Sequence, residues 1–269
     1  MSNSPFILPK GNLHITLSGG RTSAYLLHCL LEQNGDLPDR ARVVFANTGR
    51  EDTRTLDFVQ EIAQRWSVPI TWVQFTATPP WFEIVNHNSA ARDGEPFEAM
   101  IRHKRYTPNG RKRICTEQLK VRAARRMLVA LGWKKWTKSL GIRADETHRH
   151  DQDDQPREKI WMPLISAGIT KPMVLDFWRA QPFDLPQGVD SNCRLCFQFG
   201  LAQLANQMRE QPDDDFPDRM EELGFGTFLN RQWSEIREFA LRQSDMFSPD
   251  SYSRRRDVCG AASNEECSA

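Results

Sequence analysis

This sequence predicts an α/β fold with a doubly wound, mostly parallel sheet and helices on both faces. Three observations carry that expectation. Leu13 to Leu17 (LHITL) is short and β-prone, runs straight into Ser18-Gly19-Gly20, and is followed by an apolar-periodic stretch from Ser23 to about Gln33. That order reads as strand, glycine turn, helix. Arg42 to Ala46 (RVVFA) reads as a second, fully buried strand, and Thr53 to Trp66 places Leu56, Val59, Ile62 and Ala63 on one helical face. Pro69 to Phe75 (PITWVQF) reads as a third strand. Strands alternating with helices imply a parallel sheet wound on both sides.

The rest of the chain is less regular. Thr76 to Gly110 holds a Pro-Pro pair and little periodicity, which predicts loops with short helices around Trp81 to Asn86. Thr116 to Leu131 predicts a helix and Trp136 to Ile142 a strand ending at a polar cluster. Further helices are expected from Thr170 to about Arg179, from Cys196 to Arg209 and over Glu235 to Arg242, with an irregular tail after Ser248. Asp213-Asp214-Asp215 reads as a solvated acidic loop. The expected organisation is a nucleotide-binding α/β domain over 1–185 and a cysteine-containing helical region and tail over 186–269 packed on it.

The 269 residues are 39% hydrophobic and 26% charged, enough for a buried core and against disorder of the whole. A net charge of +1 gives no global argument for nucleic acid or membrane. No stretch approaches about 18 consecutive apolar residues, so no membrane span is expected. Met1 to Lys10 has no basic segment followed by an apolar run, so no signal peptide is expected and the expected compartment is the cytoplasm. Thiols stay reduced there, and six cysteines then favour metal ligation or catalysis over disulfides.

Ser18-Gly19-Gly20-Arg21-Thr22-Ser23 falls between the first strand and the first helix. Two glycines let the backbone approach an anion and adopt positive φ. The free N–H groups of the helix start, with its macrodipole, favour a phosphate. Ser18, Thr22 and Ser23 add hydroxyls and Arg21 adds charge. In open parallel sheets ligands bind at the carboxyl ends of the strands, where this loop lies. Arg143, Asp145 and Glu146 follow another expected strand and so line the same cleft. Arg143 and Arg149 are suited to clamp a phosphate or sulfate. Asp145 and Glu146 could bind a metal, orient a ribose or pair with the arginines. Arg102-His103-Lys104-Arg105 and Arg111-Lys112-Arg113 form two basic clusters before Cys115, suited to nucleotide or nucleic acid phosphates.

Cys193-Arg194-Leu195-Cys196 is a CxxC: a redox pair, a zinc half-site or an iron–sulfur half-site. Cys115 and Cys259 could complete four thiolates. Cys29, inside the first helix, reads as an inert core thiol. The tryptophans, Trp133, Trp136, Trp161 and Trp178 among them, read as core anchors, and His148 and His150 as surface groups flanking Arg149.

Several segments together resemble a known family. SGGRTS over 18–23 resembles the SGGxxS pyrophosphate-binding loop of PP-loop enzymes. Phe45-Ala46-Asn47-Thr48-Gly49, with Thr55 and Phe58, resembles the second-strand motif of phosphoadenosine phosphosulfate (PAPS) reductases. Cys115-Thr116-Glu117-Gln118-Leu119-Lys120 is similar to that family's CTxxLK, and Gly141-Ile142-Arg143-Ala144-Asp145-Glu146 with Arg149 to its GxRxxE…R. Trp161-Met162-Pro163-Leu164 with Phe177-Trp178 resembles the segment that follows, so the likeness runs over roughly residues 13–200. It is strongest to the phage and prophage PAPS reductase-like branch of the PP-loop adenine nucleotide alpha hydrolase-like superfamily. Thr22 stands where many ATP-using relatives have an Asp that helps hold a magnesium–phosphate complex, which argues against vigorous ATP hydrolysis and leaves nucleotide binding intact.

The resemblance implies an adenine nucleotide, ATP or PAPS, with magnesium as an accessory, bound by Ser18, Gly19, Gly20, Arg21, Thr22, Ser23, Asn47, Thr48, Gly49, Gly141, Asp145 and Glu146. It favours a 4Fe–4S cluster on Cys115, Cys193, Cys196 and Cys259. The end Glu265-Glu266-Cys267-Ser268-Ala269 resembles the ECG tail of assimilatory reductases, whose cysteine takes sulfur and passes it to thioredoxin, which makes Cys267 the nucleophile and Arg143 and Arg149 its catalytic partners. Reductive cleavage of an adenylyl sulfate, with a thioredoxin-like reductant, is the first functional reading. ATP-dependent thiolation of a nucleic acid held by Arg102 to Arg113 is the second, and a non-enzymatic nucleotide-binding regulator the third. The oligomeric state, a homodimer included, is left open.

Overall fold

A computed structural model describes residues 4–186, 188–189, 193–229 and 232–242. Cys259 and Cys267 lie outside the described residues. Among the described residues one sheet has six strands, ordered β4-β3-β2-β1-β5-β6. These are β1 (Leu13–Leu17), β2 (Ala41–Asn47), β3 (Ile70–Gln74), β4 (Glu83–Val85), β5 (Trp136–Ser139) and β6 (Glu158–Trp161). Only β4 runs antiparallel, against β3; the other pairings are parallel.

Alternate residues of the central strands feed two separate cores. Leu13, Ile15 and Leu17 with Val43 and Phe45 face α1 (Arg21–Asn34), α2 (Thr53–Arg65) and α6 (Lys171–Arg179), where Trp178 is 1% exposed. Val44 and Val73 face the other way, onto Ala124, Met127 and Leu128 of α4 (Ala123–Ala130). A strand buried on both faces has to be apolar where it is covered, and Val43, Val44 and Phe45 at the centre of β2 are, with Arg42 half-buried near its start. Each large side chain so buried contributes roughly 1.5–3 kcal/mol.

A third core joins α3 (Glu95–Lys104) to α7 (Leu201–Glu210), α8 (Phe216–Glu222) and α9 (Trp233–Arg242), and includes Leu195 and Phe197 of the CxxC segment. Between these lie a π-helix (Thr116–Arg122), a 3-10 turn (Thr147–Arg149) and the four-residue α5 (Pro163–Ser166). No described helix is long and apolar enough to cross a membrane.

The expected elements over the first 75 residues stand where the periodicity puts them. Five expectations change. Glu83–Val85 is a short edge strand rather than a helix, and helix α3 occupies residues 95–104 inside a stretch read as loops. Gly94, in the left-handed region, and Pro96 start that helix. The stretch 116–130 is helical but opens with seven π-helical residues. Helix α7 starts at Leu201 and not Cys196, because a tight turn takes up the CxxC. The acidic run is not a solvated loop throughout, since the Asp214 side chain is only 5% exposed.

Candidate functional site

The sheet changes its winding direction beside β1, whose chain continues to β2 on one side while β5 pairs on the other. Such a switch point opens a crevice at the carboxyl ends of the strands. The loop 18–23 enters it from β1, 48–51 from β2 and 140–146 from β5.

Backbone builds the first of these. Gly19 has φ +81°, and a Cβ there would fall 2.6 Å from Thr55 Cγ2 and 3.3 Å from Phe45. Gly20 is the N-cap of α1, and no side chain caps the helix. The Ser23 hydroxyl accepts from the Ser18 N–H (3.1 Å) and donates to the Gly20 carbonyl (3.0 Å), while Ser18 Oγ lies 3.0 Å from Ser23 Oγ. The two serines therefore shape the loop and leave the amides of the first helical turn directed out of it. Gly141 closes the other side: a Cβ there would sit 3.0 Å from Ser23 Cα. An uncapped 14-residue helix with a glycine floor and a glycine wall suits a phosphate. The Thr55 hydroxyl beneath it is buried with no hydrogen-bond partner among the described residues.

Arg21 turns elsewhere. It donates to both Asp184 oxygens, at 2.7 and 2.8 Å, and to the Leu185 carbonyl, while the Trp178 indole N–H donates to the Arg21 carbonyl at 3.0 Å. This arginine ties the 178–185 segment to the start of α1.

Arg143 Nη1 donates to Thr22 Oγ1 at 3.0 Å, linking the β5 loop to the β1 loop. Its Nε meets Asp145 at 3.0 Å, and Glu146 accepts the Arg143 backbone N–H at 3.0 Å and lies 3.4 Å from Nη1. Arg149 donates to the other Glu146 oxygen at 2.7 Å, and a His150 ring nitrogen lies 3.1 Å from the Arg143 carbonyl. Two cations and two carboxylates thus hold one another beside the crevice, with Arg143 11% and Arg149 39% exposed.

The loop after β2 is held from within. Asn47 is fully buried, donates to Gln74 (2.9 Å) and the Ala91 carbonyl (3.0 Å), and accepts from the Gly49 N–H. Gly49, at φ +79°, has no room for a side chain, since a Cβ would meet Pro96 at 2.8 Å. Both the Thr48 N–H and its hydroxyl donate to Glu51 Oε2 at 2.8 Å. The Thr48 hydroxyl also lies 3.3 Å from Cys193 Sγ, and Glu51 forms an isolated antiparallel bridge with Cys193.

Cys193 stands with Cys115, Cys196 and Lys120. Burial raises the Cys193 thiol pKa, against the pull of the Lys120 ammonium. Burial, then Cys193, pushes Cys115 up to about 11, and the same two causes raise Cys196. Burial lowers Lys120, but Cys193, Glu51, Cys115 and Cys196 together outweigh it and its pKa rises. Lys120 Nζ is 3.7 Å from Glu51 Oε1 with a third of the side chain exposed. Three soft sulfur donors and one cation therefore share one neighbourhood, a donor set whose chemistry fits a thiolate-bound group. Among the described residues, no three or more His, Cys, Asp or Glu side chains stand at metal-holding spacing.

The π-helix explains why Lys120 is in that group. In an α-helix, with about 3.6 residues per turn, positions five apart point about 140° away from each other. A π-helix has about 4.4 residues per turn, so the same step leaves them about 50° apart. Cys115 and Lys120 are five apart, at the start of this π-helix and within it. Lys120 and Glu51 escaped sequence reasoning as site residues. Lys120 stood inside CTEQLK, but helical periodicity assumes the α-helical turn.

The basic clusters lie along α3 and the loop leading to Cys115. Arg102 is paired with Glu98, Lys112 lies over the Tyr106 ring and Arg105 over Phe225. Arg113 is close enough to Cys115 to lower its pKa against the larger effect of burial.

Residues 12–163, more than half of the chain, match the model of the Phosphoadenosine phosphosulfate reductase domain. The chain belongs to this family. Its relatives include the "Uncharacterized nin region protein ORF290" of Escherichia phage lambda, 32% identical over 209 residues that span 73% of this chain and 69% of the relative. Among solved structures, a phosphate complex of phosphoadenylyl-sulfate (PAPS) reductase from Candida auris matches with a TM-score of 0.44 and 16% identity, over 68% of this chain and 83% of that one. The U34-tRNA thiolase NcsA from Methanococcus maripaludis, with its 4Fe–4S cluster, matches with a TM-score of 0.41 and 15% identity, over 89% of this chain and 75% of that one. The reductase-domain match contains the β1 loop, Cys115 and the Arg143–Glu146 cluster; Cys193, Cys196 and helices α7 to α9 lie beyond it.

Proposed function

We propose that this chain is an adenine-nucleotide enzyme of sulfur chemistry that reductively cleaves an adenylyl sulfate such as PAPS. One observation carries the reading. Three thiols and Lys120 gather at the same end of the sheet as an uncapped, glycine-lined loop fit for a phosphate. The amides of Gly20 to Ser23 hold the nucleotide's phosphate. Arg143 and Arg149, already fixed by Asp145 and Glu146, offset charge that builds on the departing group, a role that often dominates catalysis. The Cys267 thiolate attacks the sulfate sulfur, the sulfur–oxygen bond to the nucleotide breaks, and the phosphate oxygen leaves with the electron pair. A thioredoxin-like dithiol then supplies two electrons, becomes a disulfide and frees sulfite.

Cys115, Cys193 and Cys196 would hold a 4Fe–4S cluster with Cys259 as the fourth ligand, a group that supplies polarisable charge beside the nucleotide. The reduced thiols this scheme needs fit a cytoplasmic setting. Purified protein given PAPS and thioredoxin should release sulfite, and Cys267→Ser should abolish turnover while sparing nucleotide affinity. No sulfite from protein with a full iron complement would sink the reading.

A second reading, ATP-dependent thiolation of a nucleic acid, is favoured by the exposed Lys104, Arg105, Arg111 and Lys112 on the path to Cys115. It requires pyrophosphate release from ATP that depends on added nucleic acid.

A further inference from the structure

Arg50 is a charged residue buried in the interior, 1% exposed. Its Nη2 meets Asp214 Oδ2 at 2.6 Å, and its guanidinium lies 4.2 Å over the Phe216 ring. Gly94 leaves room for that ring, since a Cβ at Gly94 would fall 2.3 Å from it. Arg50 Nε and Nη1 have no hydrogen-bond partner among the described residues. A buried ion pair with orphaned donors is a poor source of stability compared with an apolar contact of the same volume. Its value lies in direction, and every direction here leads to the CxxC turn.

The Arg50 carbonyl accepts the Arg194 backbone N–H at 2.6 Å. Arg194 Nη1 reaches Gln211 at 2.8 Å and lies 3.8 Å from Asp214, while Nη2 donates to the Arg92 carbonyl at 2.8 Å. Leu195 holds φ at +50°, a region that side chains disfavour, and its N–H donates to Gln207 of α7 at 2.7 Å. Both residues between the two cysteines are therefore clamped, one to the β2 loop and one to α7. Asp214, between α7 and α8, joins Arg50 to Arg194.

We propose that Arg50 and Asp214 are positioning residues for the thiol centre: through Asp214, the C-terminal helices set the Cys193–Cys196 turn against the loop after β2. The inference rests on the proposed reading of these thiols as part of the reaction centre. Its test measures how the turn is held, without turnover.

Full-length, metal-free protein is reacted with iodoacetamide under native conditions, and modification is mapped by mass spectrometry. Asp214→Asn should speed alkylation of Cys193 and Cys196 about tenfold through local opening of the turn. Cys29, in α1, should keep its rate, and affinity for ATP should stay unchanged. Ile62→Ala, on the buried face of α2, is compared at matched loss of thermal stability and should leave the Cys193 and Cys196 rates within about twofold of the parent. Equal acceleration in both variants, or a Cys29 rate that rises in step, would reduce Asp214 to a general stabiliser and overturn the proposal. Should Asp214→Asn fail to fold, Arg194→Gln removes the second arm of the clamp and must give the same selective acceleration. Full turnover by Cys193→Ser would defeat the proposed reaction centre while leaving the alkylation result standing.

Discussion

The nucleotide loop and the thiol centre share one end of the sheet but are held in place by different means. From Ser18 to Ser23 the loop is nearly all backbone: a positive-φ glycine, two serines bonded to their own turn and an uncapped helix start. Around Cys193 the structure depends on buried charge and long-range contact, with Thr48 lying 145 positions earlier in the chain and Asp214 closing the arrangement from a third segment. A site made of backbone tolerates loss of charged neighbours and fails on a single methyl group. A site made of paired charges does the reverse.

The largest effect should come from Gly19→Ala. The new Cβ meets Thr55 at 2.6 Å in a backbone region costly to side chains, and strain of this kind is worth on the order of 1–3 kcal/mol. Equilibrium dialysis with ATP should show at least about a tenfold loss of affinity, the equivalent of 1.4 kcal/mol. Iodoacetamide rates at Cys193 and Cys196 should not move. If they rise as affinity falls, the two regions are one cooperative unit and the contrast fails.

That difference in construction also decides what could be read from the chain. Strand, glycine pair and helix over 13–34 are adjacent in sequence, and the 3.6 and 2.0 periodicities expose them directly. CxxC and Cys115 were visible as thiols, but their grouping was expected only from the family resemblance, because no local pattern encodes a meeting of distant segments. Asp214 looked like one of three solvated acids; its burial depends on Arg50, whose own neighbours, Gly49 and Glu51, gave no sign of an interior charge. The edge strand Glu83–Val85 is three residues long, too short for alternation to register. Arg21 was legible as a charge at a phosphate loop and not as a partner of Asp184, because the pairing spans 163 positions.

An intermediate effect should separate the two halves of the thiol centre. Deleting Val121 relaxes the π-turn to an α-turn and leaves Cys115 and Lys120 five apart on it, so the lysine swings away from the thiols. Lys120 lowers the Cys193 pKa, so its departure makes that thiol a weaker acid. Alkylation of Cys193 at pH 8 should then slow, because less of the thiol is present as the reactive thiolate. Deleting the exposed Glu117 also restores an α-turn but brings Cys115 and Lys120 to four apart, on one face again. That variant should keep the parent rate. If both deletions slow the reaction equally, the π-helix is only a local irregularity.

The smallest effect should come from Asp184→Asn. The pair with Arg21 is doubly hydrogen-bonded but 24% and 37% exposed, which limits it to about 1 kcal/mol or less. Its use lies in the sign of a binding change. If Arg21 is a structural tie, freeing its guanidinium removes a little thermal stability and leaves ATP affinity within about twofold, because the amides of the helix start still hold the phosphate. If affinity instead rises several-fold, Arg21 is a phosphate ligand that Asp184 holds back, and the nucleotide loop then depends on a paired charge just as the thiol centre does.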